Sequence, residues 1–429
     1  MTLSKTALFN LTTTLLLLAG QAFAAVHDVR EGDSIQAAVE AAQPGDTILV
    51  HPGIYRETVY VDKDDITLRG VVVEGEWPNL EGDKQLNDAI LYSGNGFTVE
   101  WFKITHYKGN AIMGQAGNNF SIRNNWIVDT GVYGIFPEFG ENGLIENNVL
   151  SGIEDAAIYV GMCDYIDVRN NRVFENVAGI EIENSRHALV EGNIAHDNTG
   201  GILVFITPGL PIKTSYDAIV RRNTVINNNT PNFAIPGSLV STIPAGTGII
   251  VNSGDDVVIE DNIITGNNTA GIIVTSQDFA TGVAGDPASD PNPDRVQILD
   301  NVMFNNGSDP ATEVKALMLT QFSTTGPDIL AYKGAAEAER ERAGTWRFSV
   351  TVSHPDTGWE HYADRWEVVA PDGRVLGTRV LLHPHVEEQP FTRSLGGVTV
   401  PGDLSEVIVR AHCSVDGDGG QSVTVTLAP

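Results

Sequence analysis

Residues 156–205 carry one phrase three times: AAIYVG at 156–161, AGIEIE at 178–183 and GGILVF at 200–205. The template extends to YGIFPE at 133–138, TGIIVN at 247–252 and AGIIVT at 270–275, with a weaker copy, NAIMGQ, at 110–115. Self-similarity at a short fixed period marks a stacked, repeating architecture.

A second strand is written between the copies: FSIRNNWIV, GLIENNVL, YIDVRNNRVF, HALVEGNIA, DAIVRRNTV, DVVIEDNII and RVQILDNVM. Aligned, they place Asn125, Asn148, Asn171, Asn193, Asn223, Asn262 and Asn301 in one column, spaced by 23, 23, 22, 30, 39 and 39 residues. The longer spacings contain loops. Each unit holds short alternating strands divided by Gly and Asn turns, without helical periodicity. A coil of about 22 residues, with strands stacked about 4.8 Å apart, is a rung of a parallel β-helix.

Alternation then assigns the faces. Ile112, Ile135, Ile158, Ile180, Ile202, Ile249 and Ile272 point inward as one stack, with Val160, Ile182, Val204, Val251 and Val274 beside it. The Asn column is expected at a tight corner, where Asn tolerates left-handed backbone angles and its amide bonds to the same amide one rung away. Repetition in every coil marks it as structural.

Residues 1–24 read as a secretory signal peptide: Lys5, an apolar run through LTTTLLLLAG, and the small-residue end Ala22-Phe23-Ala24, with cleavage expected after Ala24. The apolar run is too short for a membrane span, and no Cys follows it to carry a lipid. The mature chain is therefore expected in the periplasm or outside the cell. The net charge of −29, one unit more negative once Lys5 is removed, excludes nucleic acid and anionic membrane as partners. It suits divalent cations or a basic partner protein, and a bulk polyanion would need a cation bridge.

DSIQAAVEAA at 33–42 reads as a short helix capped by Asp33 or Ser34 and ended by Pro44-Gly45, closing the open end of the solenoid. The strands TILVHPGIYRETVYV and ITLRGVVVEG follow. GDTILVHPGIYRETVYVDKDDITLRG resembles the entry of right-handed, pectin-lyase-like β-helix proteins. The stretch 151–306, through DAAIYVG, NVAGIEIENS, NTGGILVF, PNFAIPG and IPAGTGI, is similar to an uncharacterised family of exported parallel β-helix repeat proteins. The resemblance implies the fold over residues 25 to about 310 and carries no activity with it.

KGAAEAERERAG at 333–344 is charged and alanine-rich, and reads as a linker or capping helix over 331–344. Beyond it WRFSVTVSH, DRWEVVAP, RVLGTRVLL, RSLGGVTVP, SEVIVRAHCSV and QSVTVTLA alternate at short spacing, the pattern of a small β-sandwich over 345–429. The expected fold is all-β: a right-handed parallel β-helix over 25–330 with an N-terminal capping helix, then that sandwich. Cys163 and Cys413, one in each domain, are either free thiols or one bridge.

With the Ile column inside, the alternate residues meet a ligand: Phe136 and Glu138, Tyr159 and Gly161, Glu181 and Glu183, Leu203 and Phe205, Ile250 and Asn252. Glu138 and Glu183 are two rungs apart, about 10 Å, across side-chain-free Gly161; Glu181 and Glu183 lie about 6–7 Å apart on one strand. Such pairs suit an acid and a base across a sugar ring, whose carboxyls sit about 5–9.5 Å apart. Glu138, Glu181 and Glu183 are the candidate catalytic residues, and Tyr159, Phe136, Phe205 and Asn252 the candidate substrate contacts. The plainer alternative is that these acids are solvated and the rings lie under a loop. Insertions 206–217, 229–246 and 276–294 are expected to rise around this face and wall a groove.

Motifs known on this fold are missing. The polygalacturonase-like set (Asn-x-Asp, Asp-Asp, Gly-His-Gly, Arg-x-Lys) is absent, and Asp64-Asp65 and Asp255-Asp256 fall in turns. The Asp-Pro-His-Asp motif of mannuronan epimerases is absent, with Ala195-His196-Asp197 only an echo. The outward positions hold no Lys or Arg for lyase chemistry. Gly53–Glu57 resembles the Gly-x-Tyr-x-Glu entry of pectin methylesterases, whose catalytic Gln-Asp segments are missing, so that entry is scaffold. His106, His187 and His196 read as surface residues, and Asp286, Asp290 and Asp294 as a turn rather than a calcium loop.

In the C-terminal domain, LLHPHVEEQPFTRS places His383 and His385 around Pro384, with His361 elsewhere in the same domain. Alternate His on an extended segment chelate copper or zinc; a buried loop packed on Trp359 and Trp366 is the competing reading. Two functions follow. The first is engagement of a carbohydrate or cell-envelope glycan in the groove, by a hydrolase or lyase mechanism. The second is a non-catalytic envelope protein whose His-rich domain handles a metal or a partner.

Overall fold

The computed structural model describes residues 24–277, 286–312, 314, 328–329, 336–342, 344–386, 388–418, 420 and 422–427. The leader, except Ala24, lies outside them. The chain forms two units, Met1–Ala311 and Thr312–Pro429. No helix among the described residues is long and apolar enough to cross a membrane.

The first unit is a solenoid of three parallel sheets, holding eleven, ten and nine strands among the described residues. One coil contributes one strand to each, as Asp164–Arg169, Arg172–Phe174 and Ala178–Glu183 do. The repeated phrase is the third sheet, which runs from Val59–Val61 to Ala270–Thr275. Its register aligns Ile112, Ile135, Ile158, Ile180, Ile202, Ile249 and Ile272, so the inward stack stands as the alternation requires. All of these are fully buried except Ile272, which with Val274 belongs to the last rung of the sheet.

The Asn column is a ladder. Asn171 Nδ2 donates to Asn193 Oδ1 at 3.0 Å and to the Ile145 carbonyl, while its Oδ1 accepts from Asn148 N and Nδ2. The left-handed angles sit one residue earlier than expected, at Asn124, Asn147, Asn170, Gly192, Arg222, Asp261 and Asp300. The exposed neighbour turns the corner, and the ladder Asn is thereby free to point inward and satisfy the buried corner backbone. A second ladder, Asn176, Asn198, Asn228, Asn267 and Asn306, does the same at the next corner.

The helix Ile35–Ala41 closes the first coil with Ile35 and Val39 buried. Ser34 is its N-cap, accepting from Ala37 N–H. The Glu57 carboxylate accepts from Ile35 and Gln36 N–H, and Lys63 Nζ donates to the carbonyls of Val39, Glu40 and Ala42. Both helix ends, which lack intrahelical partners, are thus satisfied from the following coils. Glu57 of the Gly53–Glu57 entry is scaffold.

The second unit is a sandwich of two four-stranded antiparallel sheets. One holds Asp328–Ile329, Ala336–Arg342, Thr345–Ser353 and Phe391–Thr399; the other Ala363–Val369, Val375–Val380, Glu406–Cys413 and Val423–Thr426. Trp346, Phe348, Trp366, Val368, Val407 and Val409 form the shared core. The stretch read as a linker or capping helix over 331–344 contains a strand, Ala336–Arg342, paired to Thr345–Ser353. Ala, Glu and Arg favour a helix in isolation, yet AEAERER also alternates small with charged, and strand pairing overrides propensity. The unit also takes up Asp328–Ile329, which the sequence boundary at 330 assigned to the solenoid. Cys163 and Cys413 are free, buried thiols.

Candidate active site

The outer face of the third sheet is not open to solvent along its length. Glu181 is 1% exposed, Glu183 4%, Tyr159 7% and Phe205 8%. The cover is the insertion 229–246: Ala234, Leu239, Val240 and Ile243 pack in one cluster with Tyr159, Leu203, Phe205 and Ile250. The sequence makes room for it. Ala156, Ala178 and Gly200 share one register column, and a Cβ on Gly200 would approach Ile243 Cγ2 to 2.9 Å.

The neighbouring insertions are pinned beside this lid. Asn184 exchanges hydrogen bonds with the backbone of Thr207 and Ile212, Lys213 pairs with Asp286, and Ser253 Oγ donates to the Pro291 carbonyl. Asp290 accepts from Asn292 N–H, and Asp294 N–H donates to Asp255. The acidic loop is a set of turns.

Where the lid ends, aromatic rings and acids meet. Tyr133, Phe136 and Tyr159 form a triangle, with ring centroids 4.5, 4.7 and 4.8 Å apart. Tyr133, Phe136 and Glu138 are half-buried, and Tyr159, Glu181 and Glu183 behind them are buried. Glu138, Gly161 and Glu183 stand in one register column, Tyr159 and Glu181 in the next. A Cβ on Gly161 would sit 2.4 Å from the Tyr159 ring, so this glycine is what lets the ring lie flat along the face. Gly161→Ala is expected to dislodge Tyr159 from Tyr133 and to cost about 1–3 kcal/mol, read by thermal unfolding.

Asp155 completes the cluster. It precedes the repeated strand at a position held elsewhere by Val132, Val177, Thr199, Gly246 and Thr269, and its charge in that uncharged column was the signal available in the sequence. Burial pushes the Asp155 carboxyl up to about 7. Burial, reinforced by the charges of Asp155 and Glu138, pushes Glu183 to about 7 as well. Glu181 is raised well above the ordinary range by burial and by the charge of Asp155. Asp155 Oδ1 and Glu181 Oε1 are buried without a hydrogen-bond donor. Burial raises Glu138 and Tyr133 too. Near neutral pH the cluster therefore holds protonated and ionised carboxyls side by side.

Of the residues read from sequence, Glu138, Glu181, Glu183, Tyr159 and Phe136 come together here. Phe205 lies in the apolar cluster beneath the lid, and Asn252, one rung beyond it, accepts from Ser253 Oγ. His106, His187 and His196 pair with Glu81, Asp164 and Asp197 on the surface. In the second unit, the rings of His383 and His385 stand 4.5 Å apart, on a loop rather than on a strand. Among the described residues, 381–386 and 388–390 belong to no strand, and His385 turns inward to stack on Phe391 at 3.7 Å. His383 stays outside, its Nδ1 donating to the Pro384 carbonyl. Trp359, expected beneath this loop, is 66% exposed. His361 sits instead with His354, Cys413 and Asp416.

A second aromatic surface lies elsewhere on the solenoid. Trp77, Trp101 and Trp126 line a groove of about 450 Å³, with Trp101 6.0 Å from Trp77 and Trp126 6.3 Å from it. Trp101 has φ +65°, in the corner position held by Asn124, Asn147 and Asn170 in the following coils. A bulky residue in the left-handed region is strained, and this one is held there 41% exposed.

The comparisons agree with this architecture. The family described as "Right handed beta helix region" matches residues 59–207 and 205–286, more than half of the chain. A protein of Halomicrobium mukohataei named "Putative lipoprotein" is 46% identical over 78 residues, which are 18% of this chain and 38% of that protein, so the chain spans well under half of that relative's length. The A-module of the Azotobacter vinelandii mannuronan C-5 epimerase AlgE6 is similar with a TM-score of 0.51 and 16% identity, over 64% of this chain and 72% of that one. An alginate lyase from Paenibacillus sp. is similar with a TM-score of 0.42 and 16% identity, over 65% of this chain and 99% of that one. At these identities the structural likeness is one of fold; the family match over more than half of the chain, carried by the three-sheet solenoid, makes the chain a member of the right-handed β-helix family.

Proposed function

We propose that this protein is exported, binds a carbohydrate against the aromatic triangle of Tyr133, Phe136 and Tyr159, and hydrolyses it by acid/base catalysis. The observation that carries the reading is the juxtaposition of that aromatic triangle with Asp155, Glu181 and Glu183, whose carboxyls burial holds above the ordinary carboxylate range. Aromatic faces stack on the apolar faces of sugars, and a glycosidase needs one carboxyl protonated beside one ionised. Glu181, kept protonated by burial and by the charge of Asp155, is the proton donor; Glu183 or Asp155 is the base that activates water.

Hydrolysis is favoured over elimination because the outward positions of this face carry no Lys or Arg. The same lack of cations, on a chain of net charge −29, favours an uncharged glycan over a polyuronate. The fold neighbour is a mannuronan epimerase by name, and this chain lacks the Asp-Pro-His-Asp motif looked for in such enzymes. The exposed Trp groove supports a second contact with the same polymer, since three indole rings in one groove suit sugar faces.

The test is a panel of neutral and uronate glycans, scored for new reducing ends and for binding. Turnover of a neutral glycan, lowered at least about 100-fold by Asp155→Asn, is the expected result. Binding and turnover of none of them, or an Asp155→Asn protein as active as the parent, would remove the proposal.

A further inference from the structure

The sandwich carries four metal-type ligands that the glycan site does not use. His354, His361, Cys413 and Asp416 each turn one donor atom to a common point, all within 4.8 Å of one another. His361 Nε2 is 3.0 Å from Asp416 Oδ2, Cys413 Sγ is 3.6 Å from the same oxygen, and the two imidazole rings stand 4.9 Å apart and perpendicular. A tetrahedral zinc with bonds of about 2.0–2.3 Å holds its ligands roughly 3.3–3.7 Å apart, so a small contraction closes the set.

Two loops build this point, and they are knitted together. The loop after Thr345–Ser353 supplies His354 and His361, and the turn after Glu406–Cys413 supplies Asp416 beside Cys413. Ser414 N–H donates to the Tyr362 carbonyl, and Tyr362 N–H to Ser414 Oγ. Cys413 and Gly417 exchange backbone hydrogen bonds, closing the turn that brings Asp416 back over the sulfur.

The surroundings are arranged for a ligand set rather than for packing. Val415 N–H donates to Cys413 Sγ at 3.3 Å, a bond that steadies a thiolate. His354 is 3% exposed, and its Nδ1 meets Asp356 Oδ1 at 2.6 Å, which leaves Nε2 as the outward donor. Asp356 is itself fixed by the N–H groups of Ala363 and His385. A carboxylate behind a ligating imidazole sets its tautomer and its aim, as at zinc centres generally.

We propose that His354, His361, Cys413 and Asp416 bind one zinc ion and thereby tie the two loops at this end of the sandwich. Two neutral imidazoles, a thiolate and a carboxylate balance the charge of Zn²⁺, and the mix of nitrogen, sulfur and oxygen donors disfavours calcium and magnesium. On binding, the Cys413 thiol gives its proton to solvent and the sulfur takes up the bond to zinc. Four protein ligands fill the tetrahedron, so the site is structural and leaves no position for substrate.

The full chain, purified without a polyhistidine tag, is expected to hold one zinc per chain by elemental analysis. Its cobalt-substituted form should show a thiolate-to-cobalt charge-transfer band that Cys413→Ser abolishes. His361→Gln and Asp416→Asn, at partly exposed turn positions, should weaken zinc retention against a chelator by about 10-fold or more, with an unchanged circular dichroism spectrum showing that the sheets persist. His383→Ala should retain zinc as the parent does. A chain that takes up no zinc, a band that survives Cys413→Ser, or stoichiometric copper in place of zinc would overturn the assignment. Glycan turnover is read separately, so failure here leaves the solenoid proposal standing.

Discussion

Glu183→Gln is expected to make the protein more stable near pH 8 and inactive at the same time. The Glu183 carboxyl lies at about 7 in the folded chain against 4.5 in the unfolded one, chiefly through burial. Because the folded value is the higher one, the folded state keeps a proton that the unfolded state has released. Stability therefore falls as pH rises from about 4.5 to about 7, and the full penalty is present above that window. The difference corresponds to a cost on the order of 3 kcal/mol for this one side chain. Gln has the same shape and no charge to bury, and its amide can donate toward the unpaired oxygens of Asp155 or Glu181.

Thermal unfolding near pH 8 should accordingly rise on the order of 5 °C in the variant, while near pH 4 parent and variant should melt together. Turnover should fall by at least about 100-fold over the whole range. A buried acid kept for packing would give the stability gain without the loss of activity. A variant that melts with the parent at both pH values would mean that Glu183 is not desolvated, and the acid cluster would lose its chemistry.

How far this site could be read from sequence depends on which residues are fixed by period. The outward placement of Tyr159, Glu181 and Glu183 followed from alternation, because a one-residue slip would have exposed Ile180 and Ile182. Their burial did not follow. It depends on Ile243 of the 229–246 insertion meeting Gly200, a contact between residues 43 positions apart in sequence that no local pattern encodes. Asp155 was visible only as an odd member of an uncharged column. The zinc ligands were harder still: His354 follows one strand and Cys413 ends another, joined by turn geometry, whereas His383-Pro384-His385 displayed a motif whose rings stay 4.5 Å apart in a loop where His385 packs on Phe391. Trp101 shows the same limit, since its column is set by the corner it occupies rather than by its own preference.

Asn171→Ala is expected to carry the largest single cost in the solenoid. The side chain is 1% exposed and serves four partners: it donates to the Ile145 carbonyl and Asn193 Oδ1, and accepts from Asn148 N and Nδ2. Alanine takes a bond from all four, and because Asn193 Oδ1 keeps the Asn171 N–H and Asn148 Nδ2 keeps the Ile122 carbonyl, the Asn148 N–H and the Ile145 carbonyl bear most of the loss. At about 1–3 kcal/mol for each unsatisfied buried group, partly relieved by relaxation, the loss is on the order of 4 kcal/mol. Asn301 ends the ladder and has a half-buried neighbourhood, so Asn301→Ala should cost clearly less, about 1–2 kcal/mol. Denaturant melts of the two variants give the comparison. Equal costs would mean that burial of the corner adds nothing to the ladder's bonds; a larger cost in the middle means that the buried, fully bonded amides hold the corner between the first two strands of each coil.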